Sequence, residues 1–417
     1  GWGPDGATIK ATTNNIPKVA AMNDGALGSI VAWQEEGSPG SGVLRAQHVL
    51  ATGDVDPAWS ADGALLCNVV TARAAIGLVP DRLGGAYVWW KEGAAIYLTR
   101  VNATGAVAAG WPARGRSLGT AYPTTALPGV IEDGDHGVYA GWATHTPLQT
   151  DPTSVLLVHL GPANTGAGGW PNGVRAAAGS DPVATFDYWP RLALAPDGGV
   201  FVAWASWSLD PGTIHSAYRL RRMTSAGLNA AGWLATGIEL GEFHGEWLDP
   251  NPETGLVGLS DDGAGGVFAL IGFLSDQGLP ALGLESRLYR LQGDGAPAAG
   301  WPAGGTVVSS LGGPYADQGP DASLRVLPDG LGGAQVGQPT YYDHGTSFGF
   351  AATFPDGSWK PSSSAGGNVF GYEAIPNRSG GVFFADYYPK GPYGPYEPWA
   401  YLRVGQSLAP ASWSDFS

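Results

Sequence analysis

The segment Gly241-Glu242-Phe243-His244-Gly245-Glu246-Trp247-Leu248-Asp249 places an imidazole midway between two carboxylates, each two residues away. A carboxylate pair beside an imidazole is equipment for general acid–base chemistry, as in glycosidic cleavage, where one carboxyl group protonates the leaving oxygen and another activates the attacking group. Glu242, His244 and Glu246 are therefore the candidate catalytic residues. Their spacing along the chain does not fix the carboxylate separation that such a reaction requires. A second set offers binding chemistry: Trp207, Tyr341, Tyr342, Asp343, His344, Tyr387, Tyr388, Tyr393 and Tyr396 lie in stretches rich in aromatic, Pro and Gly residues. Aromatic rings stack on the apolar faces of sugars, and acidic side chains accept their hydroxyl hydrogen bonds. The same rings could equally serve to pack long Pro-rich loops against the body of the protein.

Other chemistry is not signalled. The sequence contains no P-loop, dinucleotide fingerprint, HExxH, GxSxG or EF-hand pattern. Its seven histidines are scattered, with His48 and His159 in expected strands, His136 in a turn, and His145, His215, His244 and His344 in expected loops. No two stand at metal-ligand spacing on one strand, so neither a metal site nor a cofactor is expected. Asp-rich turns recur, but each offers one or two carboxylates where calcium takes six to eight oxygens, so they read as turns. The single cysteine, Cys67, excludes an intramolecular disulfide.

The elements that would carry these residues are short strands. The 417 residues include 67 Gly, 33 Pro and 17 Trp, 44% are hydrophobic and 14% charged. Gly and Pro at that level break long helices, while so much apolar material argues against disorder, which leaves an all-β chain. The net charge of −15 repels phosphate backbones and anionic membrane surfaces, so nucleic acid is not an expected partner. No uninterrupted apolar run is long enough to span a bilayer as a helix.

The strands repeat. Trp2, Trp59, Trp111, Trp170, Trp233, Trp301, Trp359 and Trp413, often within Gly-Trp-Pro and followed by a Gly, recur at intervals of 52 to 68 residues. Between them returns an Asp or Asn, a Gly-rich turn and an apolar run, beginning at Asp24, Asp81, Asp133, Asp197, Asp262, Asp329 and Asn377. Gly supplies the positive φ of a tight hairpin, and Asp or Asn bonds the backbone two residues on. Each hairpin should join a first strand, such as residues 18–22, to a nearly continuous apolar second strand, such as residues 29–33. Such runs suit strands covered on both faces. A third strand with clearer alternation follows, for example at 43–49, 96–101, 155–160 and 218–223, and a fourth follows the Trp.

Four short strands, seven times over, predict a seven-bladed β-propeller occupying residues 1–417 as one domain. Residues 360–417 would form the seventh blade. Residues 1–13 resemble an orphan fourth strand, and by completing that blade they would close the ring and remove its open edges. In propellers the loops joining second to third strands, and one blade to the next, emerge on a common face; here these loops vary most in length. Residues 207, 341–344 and 387–396 fall in the first class, and 242–249 in the second.

The repeats resemble the Gly-Trp-Pro and Asp-Gly-x-Gly-Gly propeller repeats of bacterial secreted and cell-surface proteins, often carried ahead of a carboxy-terminal sorting domain. The resemblance spans essentially the whole chain and implies architecture and a secreted or cell-surface destination. It rests on turn and packing residues, so function must be read from the site. The leading expectation is a non-enzymatic recognition module for glycan or another surface polymer. The alternatives are a structural component docking a surface protein within a cell-surface assembly, and a polysaccharide lyase or hydrolase.

Overall fold

A computed structural model describes residues 8–12, 14–38, 41–69, 75–121, 127–144, 154–170, 174–176, 185–210, 213–245, 257–275, 283–312, 325–328, 332–342, 345–353, 355–365, 372–376, 382–388, 401–407 and 413–414. For some of these the backbone alone is described, including residues 207–210, 213–216, 242–245, 272–275, 283–286, 337–342, 345–353 and every one after 358.

The described residues are all strand, turn or irregular structure, without helix, and their strands form seven four-stranded antiparallel sheets. The first holds β1 (Asn15–Asn23), β2 (Ser29–Ser38), β3 (Ser41–Val49) and β4 (Ala64–Val69), and the second β5 (Ile76–Pro80), β6 (Ala86–Glu92), β7 (Ala95–Val101) and β8 (Arg116–Thr120). The third comprises β9 (Gly129–Glu132), β10 (Val138–Thr144), β11 (Ser154–Leu160) and β12 (Val174–Ala176), and the fourth β13 (Thr185–Leu194), β14 (Val200–Asp210), β15 (Thr213–Met223) and β16 (Ile238–Gly245). The fifth comprises β17 (Val257–Asp261), β18 (Val267–Ser275), β19 (Gly283–Leu291) and β20 (Thr306–Gly312), and the sixth β21 (Arg325–Pro328), β22 (Ala334–Tyr342), β23 (Gly345–Thr353) and β24 (Trp359–Ala365). The last holds β25 (Tyr372–Pro376), β26 (Val382–Tyr388), β27 (Tyr401–Ser407) and β28 (Trp413–Ser414). Every sheet is a meander, its strands hydrogen-bonded in chain order.

The chain divides into two compact units, Gly1–Ser180 with Phe186–Val200 and Met223–Leu228, and Asp181–Thr185 with Phe201–Arg222 and Asn229–Ser417. Within the first unit β1 lies against β5 and β5 against β9; within the second β17 lies against β21 and β21 against β25. First strands thus stack on first strands from one sheet to the next.

Burial explains the sequence pattern. The second strands β6 and β10 are buried along nearly their whole length, whereas the third strand β7 alternates. A second strand is covered on both faces because successive residues point to opposite neighbours. Ala86, Val88 and Trp90 pack with Ile30, Leu44 and Leu66 of the first sheet. Tyr87, one residue out of phase, packs with Val138, Ala140 and Leu160 of the third. In the second unit Phe268 and Leu270 meet Val326, Ala334 and Val336 in the same way.

Five of the recurring Trp residues each stitch a sheet to its successor. Trp59 donates its Nε1–H to the Ala103 carbonyl, Trp111 to Pro162 and Trp170 to Ser225, at 2.9, 2.9 and 3.0 Å. In the second unit Trp233 donates to Gly293 and Trp301 to Pro355, at 2.9 and 2.8 Å. Each accepting carbonyl belongs to a turn of the following repeat, so the buried indole gains a partner that only the neighbouring sheet can offer. Tyr87, Tyr139, Phe201 and Phe268 meet Trp111, Trp170, Trp233 and Trp301 edge-on at 5.7 to 5.8 Å. Before Trp111 the same contact requires Gly: Gly110 has φ +86°, and a Cβ there would sit 2.6 Å from the Ala163 carbonyl oxygen.

The strand positions differ from the sequence expectation at one end. Residues 207–210, 213–216, 241–245, 341–342 and 387–388, expected as loop, continue their strands. The expected loops there are largely hairpin extensions, since the Trp, Tyr, Thr and Ile they contain favour strand. His215 and His244 accordingly lie on β15 and β16 and not in connecting loops. At the amino end, residues 8–12 carry no strand, and residues 1–7 and 13 lie outside the described residues. The fourth strand of the last sheet is β28, paired through Gln406↔Ser414 and Ser407↔Trp413. Lys10, Thr12 and Asn14 instead converge on Glu35: Thr12 Oγ1 and Asn14 Nδ2 donate to its Oε1 at 2.9 and 2.8 Å, and Lys10 pairs with Oε2 at 3.3 Å.

Candidate functional site

A four-stranded antiparallel meander has two unlike ends. One carries the hairpin between first and second strands. The other gathers the carboxyl end of the second strand, the amino end of the third and the carboxyl end of the fourth. The two ends of these sheets are built from different residues.

At the hairpin end the turn carboxylates Asp24, Asp81, Asp133 and Asp262 have both oxygens engaged. Asp81 Oδ1 accepts the Leu83 and Gly85 amides at 2.8 and 2.7 Å, while Oδ2 receives Arg100 Nε and Nη2 at 2.9 and 2.7 Å. Asp262 repeats the arrangement with Ala264, Gly266 and Arg290. In two other sheets the cation is replaced by an imidazole. Asp133 Oδ1 accepts the Asp135 and Gly137 amides, each at 2.7 Å, and Oδ2 meets His159 Nε2 at 2.9 Å. His48 bridges two carboxylates, Asp24 Oδ2 at 2.9 Å through Nε2 and Asp56 Oδ2 at 2.8 Å through Nδ1. Burial alone would lower the His48 pKa, but hydrogen bonding and the charges of Asp24 and Asp56 outweigh it and raise the pKa. Burial likewise opposes ionisation of Asp24, Asp56 and Asp133, but their hydrogen bonds prevail and hold all three below the usual carboxylate range. These constellations pin turns, and their oxygens are occupied by the protein itself. Among the described residues no group of three or more His, Cys, Asp or Glu could hold a metal ion.

The opposite end carries the aromatic residues singled out from the sequence. Trp207 lies near the end of β14, Tyr341 and Tyr342 close β22, and Tyr387 and Tyr388 close β26. Tyr341 is registered opposite Thr346 and Tyr342 opposite Gly345. Consecutive residues of a strand take opposite faces, so the two positions of each tyrosine pair fall on opposite faces of their sheet. Tyr388 is registered opposite Tyr401, a juxtaposition legible only from the pairing because nothing along the chain ties Tyr401 to Tyr388. Asp343, His344, Tyr393 and Tyr396 lie outside the described residues.

Of the acid–base candidates, Glu242 and His244 lie on β16, registered opposite Ala217 and His215 of β15. Glu246 lies outside the described residues. The sequence thus located Glu242 and His244 but not their neighbour His215, which is 29 residues away along the chain and comes opposite only through the register.

The chain matches no protein-family model and no curated protein in sequence. It is similar to the solved structure of a polysaccharide lyase, an ulvan lyase bound to a GlcA(1-4)Rha3S saccharide, with 9% identity over 93% of this chain and 91% of that one and a TM-score of 0.50. At that identity the likeness is one of fold. A second polysaccharide lyase covers 80% of this chain and 79% of its own at 9% identity and a TM-score of 0.46. The fucose lectin of Aleuria aurantia covers 82% of this chain and 94% of its own at 9% identity and a TM-score of 0.34. Scores that low carry no argument about this chain. No helix among the described residues is long and apolar enough to cross a membrane.

Proposed function

We propose that the seven sheets are the blades of one propeller, and that its loop-bearing ends recognise glycan without chemical turnover, in a secreted or cell-surface setting. The observation that carries the reading is the concentration of Trp207, Tyr341, Tyr342, Tyr387 and Tyr388 at the ends of second strands. In this proposal an ordered strand backbone carries the rings, which lowers the entropy lost when a sugar face stacks on them. Asp343, His344, Tyr393 and Tyr396 extend the same surface in this proposal, adding polar groups for hydroxyl recognition. The fold shared with a saccharide-bound polysaccharide lyase is consistent with such a role. Binding of the purified chain to a broad glycan array tests it. Saturable binding to one glycan class supports the reading, and absence of binding to every class overturns it.

A second reading, cleavage by a lyase or hydrolase mechanism, is favoured by one observation: Glu242 and His244 stand two positions apart on β16, with His215 opposite. Under it, the chain would depolymerise a soluble polysaccharide, and replacing His244 and Glu246 together would abolish the turnover. Turnover by the chain that survives this double replacement would remove that reading.

A further inference from the structure

We propose that His48 is a pH-sensitive latch in the first sheet: protonated, it clamps the connection 50–63 to the first hairpin, and deprotonated, it releases that connection together with Trp59. His48 Nε2 lies 2.9 Å from Asp24 Oδ2, and its Nδ1 lies 2.8 Å from Asp56 Oδ2. A neutral imidazole has one N–H donor and one acceptor nitrogen, whereas an imidazolium donates from both. The cation therefore satisfies both carboxylates, while the neutral ring sets a lone pair against one of them. The His48, Asp24 and Asp56 side chains are 12%, 6% and 15% exposed, so water screens that repulsion weakly. Among the described residues the charged groups facing the ring are Asp24 from the hairpin and Asp56 from the connection. From β2 it is registered against Ile30, and the connection adds the Trp59 ring at 6.0 Å.

The same connection recurs in other sheets, and the differences isolate the first. Asp56 N donates to the His48 carbonyl; the equivalent bonds run from Ala108, Ala167, Ala230 and Ala298 to Arg100, His159, Arg222 and Arg290. Alanine thus stands wherever the first sheet has Asp56. Arg100 and Arg290 meet their turn carboxylates as permanent cations. His159 meets one carboxylate, Asp133, and its Nδ1 has no partner, so a neutral ring satisfies it. His48 differs from all of these in being titratable and held between two carboxylates.

Loss of the proton loosens the connection before the hairpin. Asp24 Oδ1 also accepts the Ala26 and Gly28 amides, at 2.7 and 2.8 Å, whereas Asp56 Oδ1 accepts the Ala58 amide, at 2.9 Å. Trp59 N donates to the Asp56 carbonyl, and the Trp59 indole carries the bond to Ala103 of the second sheet, so a displaced Asp56 slackens the link between the two sheets. Burial opposes the charge on His48, but its bonds to Asp24 and Asp56 and their charges raise its pKa. The clamp is accordingly complete below about pH 6.5 and is lost as pH rises through the folded value.

The test is hydrogen–deuterium exchange of the full chain from about pH 6 to 9, reading the protection of residues 50–63 relative to residues 292–305, whose strand cation is Arg290. The ratio cancels the intrinsic pH dependence of exchange. It should hold steady below about pH 6.5 and then fall, by about tenfold in all for each unit by which the folded pKa exceeds that value. Asp56→Ala should shrink the fall, and His48→Arg, which keeps a cation at every pH, should abolish it. His48→Gln, which does not titrate in this range, takes the place of His48→Arg should that variant fail to fold. A wild-type ratio that does not change with pH, or a fall that persists undiminished once His48 is replaced, would overturn the proposal.

Discussion

Arg100→Met offers the sharpest stability test of how successive sheets are joined. Arg100 neutralises Asp81, whose side chain is fully buried at 0% exposure, and its Nη1 also donates to the Pro162 carbonyl in the third sheet at 3.2 Å. Methionine keeps most of the packing volume but leaves a buried carboxylate held by two backbone amides alone. Removing one partner of a buried pair costs about 3–5 kcal/mol, chiefly because the remaining charge is uncompensated. The lost bond to Pro162 adds about 1 kcal/mol at most, since Trp111 Nε1 still donates to that carbonyl at 2.9 Å. Asp81→Asn in the Arg100→Met background should recover much of the loss, because an amide oxygen can still accept the Leu83 and Gly85 amides while the buried charge disappears. Guanidinium denaturation followed by tryptophan fluorescence, applied to both single variants and the double variant, measures the coupling. A loss of less than about 1 kcal/mol for Arg100→Met, or a double variant less stable than the single losses together predict, would refute the reasoning.

Three further outcomes follow from neighbouring features. Gly110→Ala should destabilise by about 2 kcal/mol or more, combining a left-handed backbone with the close Ala163 carbonyl, whereas Gly25→Ala, at φ +82° with nothing within 4 Å, should lose only about 1 kcal/mol; chemical denaturation compares them. The raised pKa of His48 means that its pairing stabilises fully below about pH 6.5, the unfolded value, and that this contribution fades as pH rises through the folded value; the depressed pKa values of Asp24 and Asp56 place the opposite loss in acid. His48→Gln should therefore flatten the decline in melting temperature on the alkaline side, and an unchanged profile would remove His48 as its cause. Burial pushes the Cys67 thiol up to about 12, so the folded chain should resist alkylation at pH 8 and react only after unfolding, as thiol titration with and without denaturant will show.

The sequence revealed the repeat because turns and packing have local signatures. The Asp-Gly hairpins announced the first turn of each sheet, and the doubly apolar runs announced second strands buried on both faces, as β6 and β10 are. Trp spacing gave the period but not the purpose, since the carbonyl that Trp111 reaches lies 51 residues further along the chain. The turn carboxylates are legible as turn-formers, while the Arg or His that meets Asp24, Asp81, Asp133 and Asp262 comes from the third strand and emerges only from the pairing. The candidate site residues stand out by type alone, and their placement on strand ends is hidden because the Gly and Pro nearby read as loop. His215 shows the remaining gap most clearly: it becomes a neighbour of His244 through register alone, which no spacing along the chain encodes.

The central claim, glycan recognition by aromatic residues at the strand ends, is tested most directly by calorimetric titration of the wild-type chain and a Tyr341→Ala/Tyr387→Ala variant with the glycan class selected on an array. The account predicts saturable wild-type binding that weakens about tenfold in the variant, equivalent to about 1.4 kcal/mol, with an unchanged melting temperature. Equal affinity in the two proteins would contradict it.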